Sequence, residues 1–256
     1  MLRVRLLGEL AIESDGERCE PPAPAKARGL LAWLALHPGA HSRSEVAGTF
    51  WPDVLEESAR ASLRTALSAV RRSLGGAADA HLLATRESVG LQDAWVDALA
   101  FAELVAAGRL EDALELGQGE LLPSLDDEWA RDARDEQRRR RAEVLAQVAE
   151  RAGDPAEAVR LARARLALDP LSEEAARALI ERLVEAGDRA GALVAYDELR
   201  QRLRTTLAIA PSPATRALYD AIRRRVPSRP ASSPLLDRRT AGVFVGREAE
   251  RAGAAG

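Results

Sequence analysis

The sequence has 256 residues, 46% apolar and 30% charged, with a net charge of −3; this excludes a disordered chain and leaves room for one large or two ordinary domains. Cys19 is the one cysteine, which excludes an intrachain disulfide and fits a reducing cytoplasm. No apolar run approaches the ~20 residues that span a bilayer, and no signal-peptide layout opens the chain, so the expectation is a cytoplasmic protein with no membrane partner.

Residues 1–97 mix strands and helices. In LRVRLLGELAIES, Leu2, Val4, Leu6, Leu10 and Ile12 share one side of a period-two pattern, with Arg3, Arg5, Glu9 and Glu13 on the other. That alternation predicts a half-buried strand pair bent at Gly8. The PPAP run at 21–24 closes the strands. A helix follows from Lys26 to Leu36, with Leu30, Leu31 and Leu34 on its apolar face, and HPG at 37–39 stops it. A second short helix runs from Ser44 towards Trp51, where Pro52 and Asp53 break it. ARASLRTALSAVRRSLG, residues 59–75, makes a third, ended by Gly75 and Gly76. HLLATRESVGLQDAWVD then alternates around Glu87, Ser88 and Gly90 and reads as a β-hairpin. Strands, three helices and a hairpin are the order of a winged helix-turn-helix module.

The third helix is unusual in its charge. At about 100° per residue, Leu63, Leu67, Val70 and Leu74 fall within about 60° of one another, and Arg60, Arg64 and Arg71 within about 40° beside them. Ser68 follows, with Thr65 and Arg72 further round. No acid occurs between Arg60 and Gly75. A helix anchored by its leucines and presenting this ridge suits a major groove, where guanidinium groups read guanine, while arginines at the groove edge grip phosphates. The alternative is an ordinary amphipathic helix with a solvated basic face. Arg86 and Ser88 at the hairpin tip suit the minor groove or its phosphates, and equally an exposed turn. Lys26 and Arg28 open the first helix, where a phosphate or plain solvent fits.

Beyond Phe101 the pattern is helical. AGDPAEAVRLAR from Ala152 aligns with AGDRAGALVAYD from Ala186, 34 residues on, and AGRLEDALEL from Ala107 is a weaker copy. That period belongs to tetratricopeptide-type helix pairs, with Ala158, Ala162 and Pro170, then Ala192 and Tyr196, at packing positions. The RRRR run at 138–141 lies among acids and reads as i,i+4 pairing on a solvated helix. VPSRPASSP at 226–234 is a linker by composition. His37 and His41 have a metal-compatible spacing but no cysteine or carboxylate cluster beside them, and no nucleophile elbow, zinc signature or phosphate loop occurs. The expectation is no enzyme, no metal and no cofactor.

With those residues in view, the chain resembles the Streptomyces antibiotic regulatory protein family of transcriptional activators. The resemblance rests on LRVRLLGEL, KARGLLAWLALHPG, FWPDVLEESARASLRTALSAVRRSLG, DALAFAELVAAG, GELLPSL, ALDPLSEEAARALIERLVEAGDRAGALVAYDELRQRL and IAPSPATRALYD. It implies an OmpR-type α+β winged helix-turn-helix over 1–97. An all-α, tetratricopeptide-like bacterial transcriptional activator domain would follow over 98–226, then a linker and the start of an ATPase domain over 227–256. Members bind promoter direct repeats and recruit RNA polymerase, often for secondary-metabolite genes. Carried over, Arg60, Arg64, Thr65, Ser68, Arg71 and Arg72 become DNA contacts, with a second copy on a neighbouring repeat as a homodimer on DNA. Asp53, Glu56 and Glu57, in the turn WPDVLEE, face polymerase, and Trp51 is a core anchor. Gly117 and Gln118 depart from the usual aromatic–basic pair, and Thr205, Thr206 and Ala208 from the usual Glu-Leu and Gly. Ala208 in place of glycine puts a helix cap in question. FVGREAE resembles the entry to the family's ATPase domain, but no GxxxxGK[ST] loop follows, so nucleotide is not an expected partner. A fragment of a longer regulator and a shortened form both fit that ending. The competing function is a protein-interaction scaffold built on the repeats, with little DNA binding of its own.

Overall fold

The computed structural model describes residues 1–224; the linker at 226–234 and the FVGREAE segment lie outside the described residues. The chain opens with β1 (Leu2–Arg5), β2 (Ala11–Ser14) and β3 (Glu17–Cys19), followed by α1 (Ala25–Leu36), the two-residue strand β4 (His41–Ser42) and α2 (Arg43–Phe50). Next come α3 (Glu56–Leu74), the short α4 (Ala78–His81), β5 (Leu82–Ala84), β6 (Ser88–Leu91) and β7 (Ala94–Val96). One sheet has the order β3-β2-β1-β7 and the other β4-β6-β5.

The alternating apolar side of LRVRLLGELAIES is buried, with Leu2, Val4, Leu6 and Ile12 at 1% exposure or less. Asp15 and Gly16 both take positive φ, 52° and 88°, the backbone of a tight two-residue hairpin, and they add β3, a strand the alternation had not revealed. The expected hairpin is divided. Leu82–Ala84 and Ser88–Leu91 pair as antiparallel β5 and β6. Ala94–Val96 leaves to run parallel to β1, with Leu2 opposite Ala94 and Val4 opposite Val96. The physical reason is that Val96 and Leu82 serve two different sheets over one core.

The third helix also begins earlier than expected. Glu56 and Glu57 form its first turn, where acids meet the positive end of the helix dipole, so they are helical and not part of a preceding turn. Its buried stripe includes Ala59, Ala66 and Ala69 as well as the leucines, and these small side chains let α1 and α2 pack closely against it.

The second half is a run of helices: α5 (Asp97–Ala106), α6 (Leu110–Leu116), α7 (Glu128–Arg151), α8 (Pro155–Leu168), α9 (Glu173–Glu185), α10 (Arg189–Leu207) and α11 (Pro213–Arg224). Each packs on the next in order. The 34-residue offset falls on the joints between them. Asp154 caps α8 by accepting from Ala156 N at 3.0 Å, and Asp188 caps α10 by accepting from Gly191 N at 2.8 Å. Gly108 and Gly187, at φ 74° and 80°, end α5 and α9 with the same pair of backbone bonds. Gly153 does not follow them, because α7 leaves through an extended Ala152.

The chain does not stay in the second half after α6. Between α6 and α7 a connecting segment returns, and Leu121, Leu122 and Leu125 join the core of the first half. Gly8 N donates to Glu120 O at 2.8 Å and Leu122 N to Leu6 O at 2.9 Å. Arg134 holds the segment from behind, donating to the carbonyls of Leu121, Leu122 and Leu125. Asp97, 4% exposed, accepts from the backbone N–H groups of Leu6, Leu7 and Ala98. Burial pushes its carboxyl up, and those three bonds only partly pull it back.

Two family departures have local explanations. A Cβ on Gly117 would lie 2.6 Å from the Phe101 ring, so that ring leaves room there for glycine alone. Ala208 takes the left-handed conformation, φ 58° and ψ 28°, and its N–H still caps α10 on Leu203 O. An L residue with a Cβ is strained there, so Ala208→Gly is expected to stabilise the protein by about 0.5–1 kcal/mol, read as a higher urea midpoint at unchanged slope.

Candidate nucleic-acid interface

Three elements meet around one concave surface. α3 contributes Arg60 and Arg64, the start of α2 contributes Ser42, Arg43 and Ser44, and the β5–β6 turn contributes Thr85, Arg86 and Glu87, enclosing a cavity of about 800 Å³. Four of those side chains are guanidinium groups and Glu87 is the one acid. Arg64 has no carboxylate within 4 Å among the described residues, and the same holds for Arg71, Arg72 and Arg86. Burial, and after it the neighbouring Arg64 charge, hold Arg43 below the ordinary guanidinium range, although it stays a cation. Like charges gathered this closely make the surface attractive to a polyanion.

The parts are held by specific local bonds. Arg43 Nε donates to Thr85 O at 2.8 Å, and Arg43 N to Glu87 O at 2.9 Å, which fastens α2 to the turn. His41 and Ser42 pair with Val89 and Ser88, so β4 exists to complete this joint. The turn itself is tied by the Thr85 hydroxyl, which accepts from Glu87 N and Ser88 N. Arg43 was not among the site residues expected from sequence. The only signal was the Ser42-Arg43 dipeptide at the start of the second helix, and its convergence with Arg64 needs the fold.

The expected contacts separate into groups. Arg60, Arg64, Thr65, Ser68, Arg71 and Arg72 are all exposed on α3. The hydroxyls of Thr65 and Ser68 donate to the carbonyls of Ala61 and Arg64, leaving their oxygens as acceptors. Arg60 is not free of acids, as the acid-free run implied: it pairs with Glu56 at 2.7 Å, one helical turn back, and donates to Ser44 Oγ at 2.7 Å. The earlier start of α3 is what brings Glu56 into reach. Both partners are more than half exposed, and such pairs contribute only about 0–1 kcal/mol, so a phosphate can displace Glu56.

Arg86 stands exposed at the turn. Ser88 is not at the tip: it is the first residue of β6, half-buried, with Oγ 2.9 Å from Thr85 Oγ1. Lys26 and Arg28 are not brought to this surface. Lys26 pairs with Asp127 at 2.5 Å, and Arg28 donates to the carbonyls of Ala23 and Pro22. Each charge is spent on joining α1 to neighbouring chain.

Asp53, between α2 and α3, and Glu56 and Glu57, in the first turn of α3, are all exposed, and beside them Leu55 is 83% exposed and Val54 47%. Trp51 packs against the core. In the second half, Arg138 pairs with Glu120 and Asp135, while Arg139 and Arg140 both pair with Glu136, as their neighbours implied. His37 and His41 use ring nitrogens on the carbonyls of Trp33 and His37. Among the described residues there is no cluster of three His, Cys, Asp or Glu side chains, and no helix long and apolar enough to cross a membrane.

Residues 96–223 match the family model for the bacterial transcriptional activator domain. Among solved structures the chain is similar to Mycobacterium tuberculosis EmbR in complex with low affinity phosphopeptide, with a TM-score of 0.63 and 26% identity. The match covers 87% of this chain and 65% of that one, so this chain spans less than two thirds of the other's length. No curated protein matches.

Proposed function

The chain belongs to the bacterial transcriptional activator domain family, whose model covers half of it, and on that premise we propose that it is a sequence-specific DNA-binding transcriptional regulator. Its type is that of the Streptomyces antibiotic regulatory proteins: an OmpR-like winged helix joined to tetratricopeptide-like helix pairs, binding promoter direct repeats upstream of secondary-metabolite genes and activating them. The observation that carries the reading is the convergence of Arg43, Arg60, Arg64 and Arg86 on one surface whose lining includes a single acid, Glu87, continuous with the basic face of α3.

In this reading α3 enters the major groove. Arg64 and Arg71 read base edges, with Thr65 and Ser68 offering acceptors between them. Arg43, Arg60 and Arg72 hold phosphates, and Arg86 reaches the minor groove or its backbone. A second copy sits on the neighbouring repeat. Asp53, Glu56 and Glu57 face RNA polymerase around the exposed Leu55. Lys26, Arg28 and Ser88 take no direct part, their polar atoms being engaged within the fold.

The test is salt dependence. A surface that neutralises about four phosphates gives log K against log salt a slope near −3.6, so affinity falls about 150-fold between about 50 and 200 mM salt. Fluorescence anisotropy on promoter duplexes from the host genome reads this directly. Binding that ignores salt, or no duplex bound at all, rejects the proposal and leaves the helix pairs as a protein-interaction scaffold.

A further inference from the structure

The surface proposed to bind DNA carries one charge of the opposite sign. Arg43, Arg60, Arg64 and Arg86 line it together with a single acid, Glu87, which follows Arg86 in the β5–β6 turn. Glu87 is exposed, and among the described residues no cation lies within 4 Å of its carboxylate. Glu56 differs, being paired with Arg60 at 2.7 Å. Glu87 therefore gives the fold no ion pair, although four guanidinium groups line the same surface.

The backbone of Glu87 is nevertheless fixed. Its N–H donates to Thr85 Oγ1 at 3.2 Å, and its carbonyl accepts from Arg43 N at 2.9 Å. Thr85 N donates to Ser88 O at 2.9 Å and closes the turn around it. Arg43 Nε is held on Thr85 O at 2.8 Å by the same joint, so Glu87 and Arg43 stand on one unit. A carboxylate mounted among phosphate-binding cations has a definite effect on a duplex. It accepts hydrogen bonds and donates none, and it repels phosphate. The DNA groups that satisfy it are the exocyclic amino groups of the bases: cytosine N4 and adenine N6 in the major groove, and guanine N2 in the minor groove. A sequence that brings no amino group to the turn leaves the carboxylate unpaired against a polyanion. Discrimination by such a penalty is a general route to specificity.

We propose that Glu87 is a specificity-determining residue of this surface, one that weakens binding to any duplex lacking a base amino group opposite the β5–β6 turn. This rests on the reading of the surface as a DNA-binding one and adds to it a residue that acts by exclusion. The four arginines supply an affinity that phosphates of any sequence satisfy. Glu87 subtracts from that affinity except where a base donates to it.

The experiment is fluorescence anisotropy with the wild type, Glu87→Gln and Glu87→Ala on two duplexes. One is selected by the wild type from a randomised library, and the other is a scrambled duplex of the same composition. The hydrogen bonds of Glu87 within the fold are made by its backbone, so neither substitution removes a bond that holds the turn. Both variants tighten binding to the scrambled duplex by about three- to tenfold and steepen its salt slope by about 1, because one opposing charge is gone. Glu87→Ala gains less on the selected duplex, so the ratio of the two affinities falls. Glu87→Gln, which keeps an acceptor oxygen, retains more of that ratio. Inosine in place of each guanine of the selected duplex removes only the minor-groove amino group. A loss of about tenfold at one position for the wild type, and none for Glu87→Ala, assigns the donor to guanine. A fallen ratio with no inosine effect assigns it to a cytosine or adenine amino group in the major groove. The proposal is overturned if Glu87→Ala keeps the wild-type ratio, whether it tightens both duplexes equally or neither. Wild-type binding with a steep salt slope and an unchanged ratio in Glu87→Ala removes this proposal alone, whereas a wild type that binds no duplex removes the DNA-binding reading itself.

Discussion

Arg64→Ala is expected to weaken binding to a cognate duplex by about 1–3 kcal/mol, a loss of roughly 5- to 150-fold, and to relax preference at the base it reads. Arg64 faces the surface shared with Arg43, and among the described residues no carboxylate lies within 4 Å of it. Removing it also relieves Arg43, whose charge is opposed by that neighbour, so phosphate grip is retained in part while base reading is lost. Arg43→Ala should show the opposite signature. Its guanidinium stands on the joint between α2 and the β5–β6 turn, so its loss weakens all sequences alike and makes the salt slope shallower by about 1. Gel-shift titrations on a cognate and a scrambled duplex separate the two. Equal behaviour of Arg64→Ala and the wild type on both duplexes would mean that this face of α3 does not read DNA.

The difference between those two arginines also marks what the sequence could reveal. Arg64 was legible because a helix repeats every 3.6 residues: once Leu63, Leu67, Val70 and Leu74 define the buried side, the basic ridge beside them follows. The same local periodicity made α1, α2 and the 34-residue repeat readable, and the paired arginines at 138–140. Arg43 was not legible, since nothing near it in the chain says that residues 42 positions apart will share a hydrogen bond. The small strands failed for related reasons. β4 has two residues and no pattern of its own, and β7 is a strand only because β1 lies parallel beside it. β3 is different: the Asp15-Gly16 pair is a strong hairpin signal, and it was there to be used. Asp97 closes the segment read as a hairpin and carries no signal of its own, yet it is buried by contacts 90 residues away. Apart from β3, non-local pairing decides all of these, and spacing along the chain carries no trace of it.

The return of the connecting segment is the least legible feature and the one with the largest expected effect on stability. Gly119→Ala is expected to cost about 3–5 kcal/mol, combining overpacking with the loss of two backbone hydrogen bonds. A Cβ at residue 119 would lie 2.4 Å from Leu7 O, 2.7 Å from Leu7 C and 3.0 Å from Gly8 N. All three are backbone atoms, so no side-chain rotation relieves the overlap and the segment must lift away from β1. Lifting breaks the bonds from Gly8 N to Glu120 O and from Leu122 N to Leu6 O, and it withdraws Leu121 and Leu122, 3% and 1% exposed, from the first core. The helices keep cores of their own, one joining α5, α6, the later part of α7 and α8 and one running from α8 to α11, and need not unfold with it. Calorimetry should therefore show one transition in the wild type becoming two in Gly119→Ala, with the earlier one belonging to the N-terminal half. Gly153→Ala, where a Cβ meets nothing within 4 Å, is the matched control and should leave the single transition intact. A single, unshifted transition in Gly119→Ala would mean that the two halves are not coupled through this segment.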